Sequence, residues 1–131
     1  METENNQPII IQNSGLTSII ANGNFNLNVL LKDISVLDTK IAGTFYHNPE
    51  EFANDIMEND VILLKREPEN SFDKRAIALY YKNLKIGYIP KVKNEVISKL
   101  MDAGKQFSAK IIEKEKDDDS LALKLEVFMK A

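Results

Sequence analysis

The chain has 131 residues, of which 44% are hydrophobic, and this suits one compact domain with a real core. The chain has no cysteine, which excludes a disulfide framework and a thiolate zinc site, and its single histidine excludes a multi-histidine metal site. The net charge is −3, but residues 61–112 hold eleven Lys or Arg against five acids, between two acidic ends. This pattern favours local binding of an anion, with chance clustering of surface charge as the alternative.

The amino-terminal residues predict an appendage rather than a targeting segment. Residues 1–7 are acidic and polar, unlike a signal peptide, and no apolar run approaches the roughly 18–20 residues of a membrane helix. We therefore expect a cytoplasmic protein that has no membrane association. Residues 1–33 are expected to be partly disordered, with a short helix that Ser14 could cap.

A β-rich domain is predicted to begin at residue 34. Its first strand, 34–41, carries an irregularity at Leu37–Asp38, and Gly43 then permits a bulge or a close backbone approach. Asn48 followed by Pro49 predicts the start of a short helix with Asn48 as its N-cap.

Five further strands and a second helix are predicted downstream. The strands are the apolar or alternating runs 61–64, 76–81, 86–89, 107–112 and 121–129, of which the first is expected to be fully buried and the last half-buried. The helix covers 92–102 and ends before Gly104; its expected apolar stripe is Val92, Val96, Ile97, Leu100 and Met101. Six strands with two helices predict a mainly β (α+β) fold arranged as a small, partly open barrel.

The connection between the second and third strands is the most informative segment. Residues 65–78 include seven charged residues, a proline and Phe72, which is expected to be exposed. An ordinary hairpin connection does not need so many charged and aromatic side chains. Residues 64–77, LKREPENSFDKRAI, resemble the HIRAN core Arg-(Glu/Asp)-Pro-x-Asn-x-aromatic-Asp-x-x-Ala-Ile. Residues 86–91, IGYIPK, are similar to the family's Gly-(Tyr/His)-(Ile/Leu)-Pro-(Lys/Arg) step. Residues 41–46, IAGTFY, are similar to its opening motif, which ends in an aromatic residue and Tyr.

The resemblance implies a HIRAN-like domain over 34–131 with a modified, six-stranded OB-like barrel. The best-studied members belong to fork-remodelling ATPase–ubiquitin ligases, where the module captures the free 3′-hydroxyl end of single-stranded DNA. This chain lacks their ATPase motifs and RING cysteines, so it resembles a free-standing version of the binding module. The resemblance thus implies a protein that binds DNA and acts in DNA repair. Its implied partner is the end of single-stranded DNA.

Five residues match positions that bind DNA in the family. Phe45 stands where a base stacks, and the neighbouring Tyr46 is expected to point inward with its hydroxyl at the rim. The resemblance implies that Phe72 packs on the terminal nucleotide and that Asp73 accepts a hydrogen bond from the 3′-hydroxyl. An ionised Asp only accepts hydrogen bonds, so it selects a hydroxyl and repels a terminal phosphate. Lys91 matches a basic residue at the mouth of the second helix, where a phosphate could bind.

Each of these roles has a structural alternative. Phe45 could belong to the core, and Lys91 could be a solvated lysine at a strand end. Asp73 could cap its turn and pair with Arg66 or Arg75, a role that is compatible with binding.

Two positions of the expected site depart from the family pattern. Thr44 stands where DNA-capturing members carry Arg, and Tyr88 stands where they use His; Phe72 also lacks the hydroxyl of a Tyr. Weaker and less end-selective binding is therefore expected. The alternative is a protein-interaction or regulatory module that keeps the fold and has lost the DNA site.

The other polar residues suggest no catalysis. Arg66 is expected to form an internal salt bridge or to bond a loop carbonyl, His47 to be structural, and 117–119 to form a solvated hairpin tip. No metal-ligand set and no nucleophile–base pair is present, so neither an enzyme nor a cofactor is predicted.

Overall fold

The computed structural model describes residues 33–131, and these form a mainly β fold. The strands are β1 (Ile34–Lys40), β2 (Val61–Arg66), β3 (Ile77–Tyr81), β4 (Leu84–Tyr88), β5 (Phe107–Lys116) and β6 (Leu121–Met129). They make one antiparallel six-stranded sheet in the order β1-β6-β5-β2-β3-β4. The predicted mainly β, six-stranded fold is thereby confirmed. The helix predicted at Ser14 and residues 1–32 of the predicted appendage lie outside the described residues.

Alternating side chains of the strands build the core. In β6, Leu123, Leu125 and Val127 are buried, whereas the residues between them are more accessible, so the predicted half-buried strand is confirmed. The same side of the sheet is filled by fully buried residues from the other strands, chiefly Ile62, Ile77, Leu79, Ile86 and Ile111. This apolar layer is the main source of stability, because removal of such side chains from water is the dominant favourable term in folding.

The segment after β1 returns to the opposite end of the strand order. Ala42 and Tyr88 exchange two backbone hydrogen bonds of 2.9 Å, each N–H donating to the other's carbonyl. Gly87 permits this approach: a Cβ built on it would lie 2.5 Å from the carbonyl oxygen of Ala42. The two ends of the sheet are therefore linked at one point, while complete closure into an OB-like barrel stays a prediction.

Among the described residues there is one α-helix rather than the two predicted. The helix expected at Asn48 is a single 3-10 turn, Pro49–Glu51, and the Asn48 side chain does not cap it. Asn48 itself has φ 54°, in the left-handed region, rather than the extended conformation in which an N-cap side chain reaches the first turn. Phe52 and Ile56 are still buried, because successive tight turns place them in the core.

The other helix, α1, covers Glu95–Asp102 and is shorter than predicted. Its expected apolar stripe is only partly correct, because Val92 lies in a preceding 3-10 turn and is 90% exposed, and Val96 is 67% exposed. Ile97 is buried, and Met101 packs against the core. No helix of the described part of the chain is long and apolar enough to cross a membrane.

Two strand predictions also need correction. The irregularity of β1 lies between Ser35 and Leu37 rather than at Leu37–Asp38. The strand β2 is not fully buried: Val61 and Leu63 are 64% and 58% exposed, because only one face of this strand meets the core.

Candidate nucleic-acid interface

The loop between β2 and β3, residues 67–76, is called the motif loop below, and its own side chains shape it. Asn70 Oδ1 accepts the backbone N–H of Phe72 at 2.8 Å and that of Asp73 at 3.0 Å. Asn70 Nδ2 donates to Glu67 Oε1 at 3.1 Å. Asn side chains commonly organise turns in this way. The sequence placed Asn70 in the motif but assigned it no role.

The motif loop presents Phe72 to solvent beside a fixed carboxylate. Phe72 is 90% exposed. Asp73 Oδ1 accepts the N–H of Arg75 at 2.9 Å, and its Oδ2 accepts the side-chain amide of Asn94 at 2.8 Å. Burial alone would raise the pKa of Asp73, but these two hydrogen bonds and the charges of Lys91 and Arg75 hold that pKa below its usual value. The carboxylate is therefore ionised at neutral pH.

Asp73 and Arg66 both make contacts within the fold, as their predicted structural roles require. Asp73 does cap its turn, through the Arg75 N–H, but it does not pair with Arg66. Arg66 Nε lies 2.9 Å from Asp102 Oδ1, and its Nη1 donates to the carbonyl of Ala76 at 2.7 Å. The predicted internal role of Arg66 is confirmed.

A polar cluster of Glu67, Lys85 and Tyr88 ties the base of the motif loop to β4. Lys85 Nζ donates to Glu67 Oε2 at 2.6 Å, and the Tyr88 hydroxyl donates to Oε1 at 2.8 Å. Burial alone would raise the pKa of Glu67, but the hydrogen bonds from Lys85, Asn70 and Tyr88 lower it to about 2. The Tyr88 hydroxyl proton is thus committed inside the fold, at the position where DNA-capturing relatives are expected to carry His.

The 3-10 turn Thr44–Tyr46 presents two more aromatic side chains. It follows Gly43, whose φ of 75° suits glycine, and the rings of Phe45 and Tyr46 meet edge to face at 5.6 Å. Phe45 is 77% exposed and so is not a core residue. Tyr46 is 82% exposed, so the expected inward orientation is wrong: a turn of three residues has one inward position, and Thr44 occupies it.

His47 connects this turn to the polar cluster. Its ring lies 5.6 Å from that of Tyr88, tilted by 53°. Burial, followed by the charge of Lys85, lowers the pKa of His47. The imidazole is therefore neutral at pH 7 and serves as packing between the Thr44–Tyr46 turn and β4.

Lys91 stands on the 3-10 turn Lys91–Lys93 just before α1, and its charge acts on Asp73. Lys74, Lys91 and Lys93 form no ion pair within the described residues, whereas Arg75 lies 3.8 Å from Glu95. Lys91 is therefore a free cation whose charge reaches Asp73, whereas Lys85 belongs to the polar cluster.

An acidic cavity of about 420 Å³ borders Phe45. Its lining includes Glu50, Thr44 and the β5–β6 hairpin tip Asp117–Ser120. Asp117 Oδ1 accepts the backbone N–H groups of Asp119 and Ser120, as expected for a hairpin tip. Within the described residues no group of three metal-binding side chains occurs. The acidic lining disfavours phosphate on this side of Phe45.

Exposed aromatic rings, an ionised carboxylate and a free lysine are the kinds of groups with which OB-like domains bind single strands. The family model for the HIRAN domain matches residues 34–131, and the chain belongs to this family. HIRAN domains are generally DNA-binding modules and are not catalytic.

Two solved structures share the fold. The crystal structure of a protein from Lactobacillus plantarum is 22% identical, with a TM-score of 0.66, and the match covers 76% of this chain and 98% of that one. The crystal structure of the HIRAN domain of human HLTF is 20% identical, with a TM-score of 0.57, and the match covers 72% and 74% of the two chains. A comparison with curated proteins finds no match.

Proposed function

We propose that this chain binds single-stranded DNA and recognises a free 3′ end. The observation that carries the proposal is Phe72, which is 90% exposed on a loop whose backbone is hydrogen-bonded by Asn70. Exposure of a large aromatic ring is unfavourable unless a partner covers it, and a rigid loop reduces the entropy lost when it does. A nucleobase is a suitable partner, because every base offers a flat face for stacking.

The neighbouring residues supply the remaining contacts. Asp73 is ionised and accepts two internal hydrogen bonds, so two of its roughly four acceptor positions are left for a terminal hydroxyl. The same negative charge would repel a 3′-phosphate. Lys91 is exposed and near Asp73, where it can contact the last phosphate of the strand. Phe45 and Tyr46 offer further stacking surfaces.

The two departures from the family pattern limit the affinity. Thr44 is buried, and the Tyr88 hydroxyl is engaged by Glu67, so neither offers the phosphate contact of an Arg or a His. Stacking is worth about 1–3 kcal/mol per base. Two stacked bases with one or two phosphate contacts correspond to micromolar affinity, about −8 kcal/mol, at low salt.

Titration of fluorescent single strands that end in a 3′-hydroxyl or a 3′-phosphate tests the proposal. We expect tighter binding of the hydroxyl end, and we expect Phe72→Ala to weaken binding by about 1–3 kcal/mol through loss of a stacking surface. Leu63→Ala is the matched control, because Leu63 is also an exposed apolar residue but lies outside the motif loop. Equal affinity for both ends would refute end recognition, and no binding at low salt would refute the proposal as a whole.

The exposure of the aromatic residues also bears on the alternative function. A protein-interaction module that had lost its DNA site would have been supported by burial of Phe45 and Phe72. Both rings are exposed instead.

A further inference from the structure

Asn94 occupies the N-cap position of α1, but its side chain does not cap the helix. Asn is favoured at this position because its side-chain oxygen can accept a free N–H of the first helical turn. Here its Nδ2 donates to Asp73 Oδ2 at 2.8 Å, across 21 residues of sequence. The helix therefore forgoes a side-chain cap, and the motif loop gains a hydrogen bond.

The same side chain carries a second local cost. Asn94 is fully buried, with 0% exposure, and its Oδ1 has no hydrogen-bond partner within the described residues. Buried polar atoms are normally paired, because an unpaired one loses its bond to water without replacement. The amide cannot relieve this by a flip, since a carboxylate only accepts and the Asn94 nitrogen must face Asp73. Departures from the usual helix capping and from the pairing of buried polar atoms are expected chiefly at functional sites.

We propose that Asn94 is a positioning residue that holds the Asp73 carboxylate ready to accept the 3′-hydroxyl of a bound strand. This inference rests on the proposed function. The Arg75 N–H fixes one carboxylate oxygen at 2.9 Å and Asn94 fixes the other at 2.8 Å. Two donors on different oxygens define the rotation of the carboxylate plane, and each oxygen keeps one acceptor position free.

The arrangement also explains why the donor is an amide rather than a cation. Of the two arginines nearby in sequence, Arg66 bonds Asp102 and two loop carbonyls, and the guanidinium of Arg75 lies 3.8 Å from Glu95. An amide orients Asp73 without neutralising it, whereas an arginine in direct contact would occupy its free acceptor positions. The carboxylate thus stays negative and accessible, which is the state that distinguishes a hydroxyl end from a phosphate end.

The substitution Asn94→Ser tests this role. Serine is also a favoured N-cap, so α1 should remain folded, but its side chain is too short to reach Asp73. The measurements are the affinities for 3′-hydroxyl and 3′-phosphate strands of one sequence, and the pKa of Asp73 from carboxyl-carbon NMR. We expect the preference for the hydroxyl end to fall about fivefold to tenfold and the pKa of Asp73 to rise.

The control is Ser98→Ala, a buried position of the same helix whose hydroxyl bonds the carbonyl of Glu95. It should leave both readouts unchanged, and an equal effect in this variant would overturn the inference. If Asn94→Ser does not fold, Asn94→Leu replaces it, since leucine is similar in size, suits a fully buried position and cannot donate a hydrogen bond.

The outcomes for the inference and for the proposed function are distinct. A wild-type preference that persists in the Asn94 variant refutes the inference alone. A wild-type protein without any end preference refutes the end recognition, and the positioning role with it.

Discussion

Glu67 shows how one side chain of the motif joins two parts of the chain. Its two carboxylate oxygens accept hydrogen bonds from Lys85, Tyr88 and Asn70, which lie on β4 and on the motif loop. Charge-assisted hydrogen bonds are among the stronger polar contacts. The bond between Lys85 and Glu67 is also shielded from water, since the Glu67 side chain is only 20% exposed. The cluster holds the base of the loop that presents Phe72.

Glu67 makes stability depend on acid pH. Its pKa is about 2 in the folded protein against an ordinary 4.5, so its stabilising contribution is complete above pH 4.5 and is lost as the pH falls towards 2. We expect Glu67→Gln to lower the free energy of unfolding at pH 7 by about 1–3 kcal/mol and to flatten its decline between pH 4.5 and 2. Urea unfolding across this pH range measures both effects.

Glu69→Gln is the control for that measurement. Glu69 lies in the same loop and is exposed, so its replacement should change the free energy of unfolding by no more than about 0.5 kcal/mol. Equal losses in the two variants would show that net charge, rather than the polar cluster, determines acid stability.

At the scale of elements, the motif loop is held at both of its ends. The backbone N–H of Glu67 donates to the carbonyl of Ala76 at 3.0 Å, so the β2–β3 ladder continues into the loop. Arg66 crosses the same point and bonds the carbonyls of Ala76 and Lys74. Together with the Asn70 hydrogen bonds inside the loop, these contacts restrain the backbone on both sides of Phe72.

The approach of the segment after β1 to β4 depends on Gly87. A methyl group there would lie 2.5 Å from both the Ala42 carbonyl oxygen and Ile41 Cγ2, so Gly87→Ala must separate the two segments. We expect it to lower the free energy of unfolding by about 2–4 kcal/mol and to weaken DNA binding, since the Thr44–Tyr46 turn follows directly. Urea unfolding and strand titration are the measurements.

A second glycine separates steric clash from backbone strain. Gly87 and Gly104 both have a positive φ, 152° and 99°. A methyl group on Gly104, however, would meet nothing within 4 Å. Gly104→Ala should therefore cost only the conformational term, about 1–2 kcal/mol, and leave binding intact. A Gly87 variant that behaves like the Gly104 variant would contradict the close-approach explanation.

At the scale of the whole molecule, the sequence predicts those features that depend on neighbours in the chain. Alternation in β6 and the motif around Phe72 are local patterns, so the strands and the exposed ring could be anticipated. The bonds of Asp73 to Asn94 and of Glu67 to Lys85 join residues 21 and 18 positions apart, and no pattern of either segment indicates the other. Pairings of this kind depend on how the strands fold together.

The failed helix predictions have a related cause. The apolar residues Phe52 and Ile56 are four apart, which suits one face of a helix, but successive turns bury them equally well. Val92 and Val96 match the same periodicity yet face solvent: Val92 precedes α1, which begins at Glu95, and Val96 lies on a face of α1 that the core does not cover. Periodicity reports which residues are apolar, whereas the sheet decides which of them it can cover.

The distribution of charge over the molecule predicts a shallow salt dependence of DNA binding. Acidic side chains line the cavity beside Phe45, and Lys91 is the free lysine whose charge reaches Asp73, so we expect a strand to gain only one or two phosphate contacts. Each contact contributes a slope of about −0.7 in a plot of log affinity against log salt for single strands. The affinity should therefore fall only about threefold to sevenfold between 50 and 200 mM salt.

Two lysine variants test which residue makes the phosphate contact. Lys91→Ala should reduce the slope by about 0.7. Lys130→Ala is the control and should leave the slope unchanged, because Lys130 is exposed but lies outside the predicted site. A steep slope that neither variant alters would mean that the strand follows a different basic surface, and that Lys91 is only a solvated lysine.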